Sequence, residues 1–91
     1  MHWKLFANLA ETAGQKEVDL DLEAGVTVER ALDALFERHP TLEAEVLEDG
    51  EVAEHIRLLV DGADPFETAD GYETTLAADA ELALFPPVSG G

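Results

Sequence analysis

The residues best suited to do chemistry stand at the end of the sequence, where Phe85-Pro86-Pro87-Val88-Ser89 runs into Gly90-Gly91. The prolines cannot continue a central strand and stiffen the exit toward an extended form. The glycines carry no Cβ, so their backbone can thread a narrow channel and bring a terminal carbonyl against a reactive group. A carboxylate is a poor electrophile. Activated as an acyl-adenylate, the Gly91 carbon becomes open to attack by sulfur or an amine. The chain has no Gly-rich phosphate-cradling loop, so the adenylating machinery belongs to a partner. On this reading Gly91 is a substrate, presented by Pro87, Val88, Ser89 and Gly90.

Other candidates are weaker. His2, His39 and His55 are too dispersed to form a metal motif and read as surface or helix-end histidines. Acidic pairs such as Glu48-Asp49 read as a solvated face in so acidic a chain. Asp61-Gly62-Ala63-Asp64 lacks the remaining spacing of a calcium loop. Ser89 has no base partner in view. The absence of cysteine removes disulfides, thiolate metal sites and cysteine nucleophiles. Lys4 and Lys16 read as exposed side chains, with acceptance of a modifier as the rarer alternative. No catalytic constellation emerges, so an enzyme is not expected.

Twenty-one Asp and Glu face five Lys and Arg, a formal net charge of −16. Phosphates and anionic lipid surfaces would be repelled, which argues against nucleic-acid and membrane partners. No apolar run reaches the roughly 18 residues of a membrane span, and the first residues lack a signal-peptide pattern, so a cytoplasmic place is expected. The self-repulsion of so many carboxylates falls when molar salt shortens the Debye length to about 3 Å. Such a composition fits a halophile's cytoplasm.

The elements that would carry the tail are legible from periodicity. Residues 3–7 read as a strand with Trp3, Leu5 and Ala7 inward and Lys4 and Phe6 outward. Residues 8–14 form a turn or one helical turn stopped by Gly14. Residues 16–22 alternate, with Val18, Leu20 and Leu22 inward, and should pair with the first strand as a hairpin. Thr27 caps a helix whose stripe is Val28, Ala31, Leu32, Leu35 and Phe36, and Pro40 ends it. Residues 41–47 allow a short second helix through Leu42 and Val46, and Glu48-Asp49-Gly50 reads as a turn. Residues 56–60 form a strand with Ile56, Leu58 and Val60 inward and Arg57 and Leu59 outward. Asp61-Gly62 is a turn, a short strand is expected around 72–76, and 81–85 is the last strand with Leu82 and Leu84 inward.

A hairpin, a crossover helix and further strands predict an α+β domain of the β-grasp type. Its mixed sheet of four to five strands would be covered on one face by the main helix plus the short one. The domain should span 1–86 and the tail 87–91. Parity puts Phe6, Leu59 and Phe85 on the uncovered face, on neighbouring strands. Three large apolar groups there suggest a partner surface rather than scattered exposure.

The residues that carry the next step are Trp3-Lys4-Leu5-Phe6-Ala7 with Ala13-Gly14, the helix ending at His39-Pro40, and above all Leu84-Phe85-Pro86-Pro87-Val88-Ser89-Gly90-Gly91. Together they resemble the MoaD/ThiS family of ubiquitin-like sulfur carriers, and more closely the small archaeal modifier proteins of haloarchaea. The resemblance covers nearly the whole chain. It implies that the family's modified carbon falls on Gly91 and its contact surface on Phe6, Leu59 and Phe85. It implies an E1-like activating enzyme that uses ATP, with no cofactor bound to this chain. It further implies transfer of the activated carboxyl to target-protein lysines by isopeptide bond, or conversion to a thiocarboxylate for molybdopterin synthesis or tRNA thiolation. Further partners would be a molybdopterin synthase large subunit, to which this chain would be the small subunit, or a tRNA-thiolation enzyme; alone it should be a monomer. The alternative reading is a non-covalent interaction module that uses only the exposed sheet face.

Overall fold

A computed structural model describes residues 1–86; the tail assigned to 87–91 lies outside the described residues. Its elements are β1 (His2–Leu5), α1 (Asn8–Ala13), β2 (Glu17–Asp19), α2 (Val28–Arg38), α3 (Pro40–Val46), β3 (Leu47–Glu48), β4 (Glu51–Val52), β5 (Arg57–Val60), α4 (Pro65–Thr68) and β6 (Glu81–Phe85).

Four strands form the main sheet in the order β2-β1-β6-β5. The first hairpin is antiparallel, pairing Trp3 with Val18. β6 returns between β1 and β5, parallel to the first and antiparallel to the second. One face is covered by α2, as the β-grasp expectation requires. The inward set Trp3, Leu5, Val18, Leu58, Leu82 and Leu84 is buried against Val28, Ala31, Leu32 and Leu35 of α2. Trp3 joins the two layers, with its indole Nε1–H donating to the Ala31 carbonyl at 3.3 Å.

The caps explain where helices start and stop. The Thr27 hydroxyl accepts from the Arg30 N–H at 3.2 Å and satisfies an orphan donor of α2. Gly14 sits beyond α1 at φ 80°, a left-handed value that glycine takes freely, and its N–H bonds the Ala10 and Glu11 carbonyls. Pro40 does more than end α2. Its missing N–H costs nothing at a first helical position, so it opens α3, where Leu42 and Val46 are fully buried.

Several expectations need correction. Ala7 does not face inward: its φ of 52° turns the chain out of the strand, it is exposed, and Leu9 of α1 fills the core instead. β2 is shorter than 16–22, because after Leu20 bonds the Met1 carbonyl its partner strand has run out. Leu22 is only half-buried. The Asp49-Gly50 turn closes a two-residue hairpin between β3 and β4, with both φ values positive as a type I′ turn demands.

No strand forms over 72–76 in the described residues. Pro65 starts α4, with the Asp64 carboxylate accepting from the Phe66 N–H at 2.8 Å. A 3-10 turn then takes Gly71–Glu73. Only an isolated bridge between Thr75 and Thr27 remains of the expected pairing. Leu76 still anchors the segment, buried and bonded to the Val26 and Gly25 backbone. Among the described residues the main sheet therefore has four strands and no fifth.

Candidate functional site: an exposed aromatic stack beside the chain exit

The uncovered sheet face is built from outward residues whose neighbours follow from the register. His2 lies beside Glu81 and Asp19; Lys4 lies beside Ala83 and Glu17; Leu59 lies beside Ala83, and Arg57 beside Phe85. Phe6 follows the end of β1, next to Phe85 at the end of β6. The two rings stack, with centroids 4.3 Å apart and planes 12° from parallel. Phe6 keeps 39% of its surface exposed, and Phe85 is half-buried. Small Ala83 separates Lys4 from Leu59, so nothing bulky crowds the stack from the middle strand.

Leu59 is half-buried and sits one row away from the stack, diagonal to Phe85. Diagonal neighbours on adjacent strands are about 7–8 Å apart, within reach of an aromatic side chain. Leu59, Phe85 and Pro86 line a common open groove of about 1180 Å³ that also borders β3, β4 and α4. The structure thus joins Phe6 to Phe85 by direct contact and places Leu59 beside Phe85 in the groove. Pro86, the last described residue, stands at its rim. Gly91, Gly90, Ser89, Val88 and Pro87 lie outside the described residues.

Charge is ordered along the same face. At the end far from the stack, the His2 ring is held by two carboxylates: Nε2 contacts Glu17 Oε1 at 2.6 Å, and Nδ1 contacts Asp19. These hydrogen bonds, Asp19 first and Glu17 second, hold the His2 pKa above its ordinary value. The same bond lowers the carboxyl of Asp19. Lys4 pairs with Glu81 at 3.3 Å. At the stack end, Arg57 makes no ion pair among the described residues.

The sequence reading missed Phe66. It is 44% exposed and packs edge-on against Tyr72, with centroids 4.9 Å apart and an interplanar angle of 78°. Both line the groove. The Tyr72 hydroxyl accepts from the Val52 N–H at 2.7 Å and ties β4 to the 3-10 turn. Asp64-Pro65, a capping residue before a first-position proline, was the available signal that a helix would lift Phe66 to the surface.

Among the described residues, no group of three or more His, Cys, Asp or Glu side chains could hold a metal ion. No described helix is long and apolar enough to cross a membrane.

Comparison with known proteins agrees with this architecture. The ThiS family model matches residues 3–91. Small archaeal modifier protein 1 of Haloferax volcanii is 53% identical over 92 residues, covering 100% of both chains. A crystal structure of that Haloferax volcanii protein superposes with a TM-score of 0.86 at 48% identity, over 99% of this chain and 97% of that one. The solution structure of small archaeal modifier protein 1 from Methanosarcina acetivorans gives a TM-score of 0.83 at 33% identity, covering 99% and 94%.

Proposed function

The chain belongs to the ThiS family, and from that premise we propose that it is a ubiquitin-like modifier and sulfur carrier whose reactive group is the Gly91 carboxylate. In this reading an E1-like partner binds the Phe6–Phe85 face and draws the tail into its ATP site. The carboxylate attacks the α-phosphate of ATP, pyrophosphate leaves, and an acyl-adenylate forms. Hydrosulfide released by a sulfur donor then displaces AMP to give a thiocarboxylate for molybdopterin synthesis or tRNA thiolation, or a lysine amine of a target protein displaces it to give an isopeptide bond. The chain is a substrate throughout, and the adenylate chemistry is the partner's.

The observation that carries the reading is the place of the exit. β6 delivers Phe85 to the exposed stack and Pro86 directly after it. The five remaining residues, Pro87 to Gly91, span at most about 18 Å when extended. A partner that covers the stack therefore has the Gly91 carboxylate within about 18 Å of Pro86. The acidic surface fits a salt-rich cytoplasm, where the carboxylates repel one another least.

The test is incubation with the cognate activating enzyme, ATP and a sulfur source, followed by intact-mass measurement. The expected product is heavier by one sulfur-for-oxygen exchange, localised to Gly91. Truncation of Gly90-Gly91 should abolish it. Full function after truncation would instead support the non-covalent module that uses only the sheet face. Branched tryptic peptides from cells separate protein tagging from pure sulfur donation.

A further inference from the structure

The aromatic stack separates two hollows of different charge. On the Phe6 side, Lys4, Phe6 and Lys16 line a hollow of about 570 Å³ between β1, the start of β2 and α1. These are the two lysines of the chain, which has only five Lys and Arg against 21 Asp and Glu. Glu11 and Glu17 line the same hollow, but Glu17 is held by His2 at 2.6 Å. Lys4 is held by Glu81 at 3.3 Å. Lys16 is exposed and has no ion pair among the described residues. On the Phe85 side the groove is lined by six acidic residues, Glu48, Asp49, Glu51, Glu54, Asp64 and Glu67, with Arg57 as its one Lys or Arg.

A partner carboxylate is therefore tolerated on one side of the stack and repelled on the other. We infer that the activating enzyme presents a carboxylate to Lys16 beside the apolar seat it offers Phe6, and that this contact fixes the direction in which it docks and selects it among partners. The inference rests on the docking face proposed above. The contact must be direct: in molar salt the Debye length is about 3 Å, so steering from a distance contributes little. Charge complementarity of this kind acts chiefly on specificity and register.

The test is the affinity of the full chain for its activating enzyme, at a salt concentration where thermal unfolding shows each variant folded. Lys16→Glu is expected to weaken binding about tenfold, since it sets like charges against each other. Lys16→Arg should stay within about twofold, because it keeps the charge. Arg38→Glu changes net charge by the same amount on the exposed end of α2 and should leave affinity unchanged. The Lys16→Glu deficit should shrink as salt is raised. If Phe6→Ala weakens binding while Lys16→Glu matches wild type or Arg38→Glu, the charge contact is overturned and the docking face stands. If Phe6→Ala binds like wild type, the docking face falls and this inference with it.

Discussion

Phe6 and Phe85, near opposite ends of the chain, stack at a centroid separation of 4.3 Å because β1 and β6 run parallel side by side. An aromatic pair left partly exposed gains little from burial. Its contact contributes about 0.5–1.5 kcal/mol beyond area, and on the proposed docking face the larger gain comes when a partner covers both rings. Phe85→Ala and Phe6→Ala should each weaken binding of the activating enzyme by about 2 kcal/mol, the scale of an interface hot spot. A stability cycle on the two single variants and the double variant should return a coupling of about 1 kcal/mol. Calorimetric titration and chemical unfolding check the two numbers separately, and a large fold loss with unchanged binding would contradict the assignment.

Trp3 is the joint between sheet and helix. It is fully buried, and its indole bonds the Ala31 carbonyl in the middle of α2. Trp3→Ala should cost about 3–5 kcal/mol, most of the stability of a small domain at the low end of the usual range. Trp3→Phe keeps an aromatic ring but removes the indole N–H that donates to Ala31 and leaves a smaller side chain in the core, an expected cost of about 1–3 kcal/mol. Denaturant unfolding followed by circular dichroism measures both, since the variants lose the single tryptophan that fluorescence would use.

The β-grasp order, the Thr27 cap and the outward parity of Phe6, Leu59 and Phe85 were legible because each rests on a local rule. Period-two alternation marks a half-buried strand, period 3.6 marks a one-sided helix, and Thr before an apolar stripe marks a helix start. What was not legible rests on tertiary choices. Nothing in the sequence warns that Ala7 adopts a positive φ, since alanine rarely does. Strands of two residues, as in β3 and β4, are too short to show alternation. A short strand is expected around 72–76 because a long structureless loop is improbable in a small domain, yet the segment is tied down by a 3-10 turn at Gly71–Glu73 and by backbone bonds to residues 25–28 instead. The stack itself needed the register, which parity alone does not supply.

Tyr72 holds the groove's far wall. Its hydroxyl accepts from the Val52 N–H at 2.7 Å, and β3 and β4 have only two residue pairs of their own. A hairpin that short is not stable alone. Tyr72→Phe removes the acceptor and should cost about 1 kcal/mol globally. The larger effect should be local: amide exchange at Val52 accelerates, while exchange in β1 and β6 follows only the global change. Equal acceleration everywhere would show that the hydroxyl bond does not hold the hairpin.

His2 and Asp19 carry a pH-dependent contribution to the fold. The His2 ring lies between Asp19 and Glu17, which raise its pKa above the ordinary value of about 6.5. A group raised on folding stabilises fully below its unfolded pKa, and that stabilisation is lost as pH rises through the folded value. Asp19 is shifted the other way, below about 3.9. Its contribution is present above that value and is lost as pH falls through the folded one. The two windows overlap on the mildly acidic side, so the melting-temperature advantage of wild type over His2→Gln should peak near about pH 5 to 6 and fall toward pH 8. Both carboxylates are exposed, so molar salt should flatten the peak without moving it. Thermal unfolding across that range checks the shape, and a gap that widens above pH 7 would reverse the sign assigned to His2.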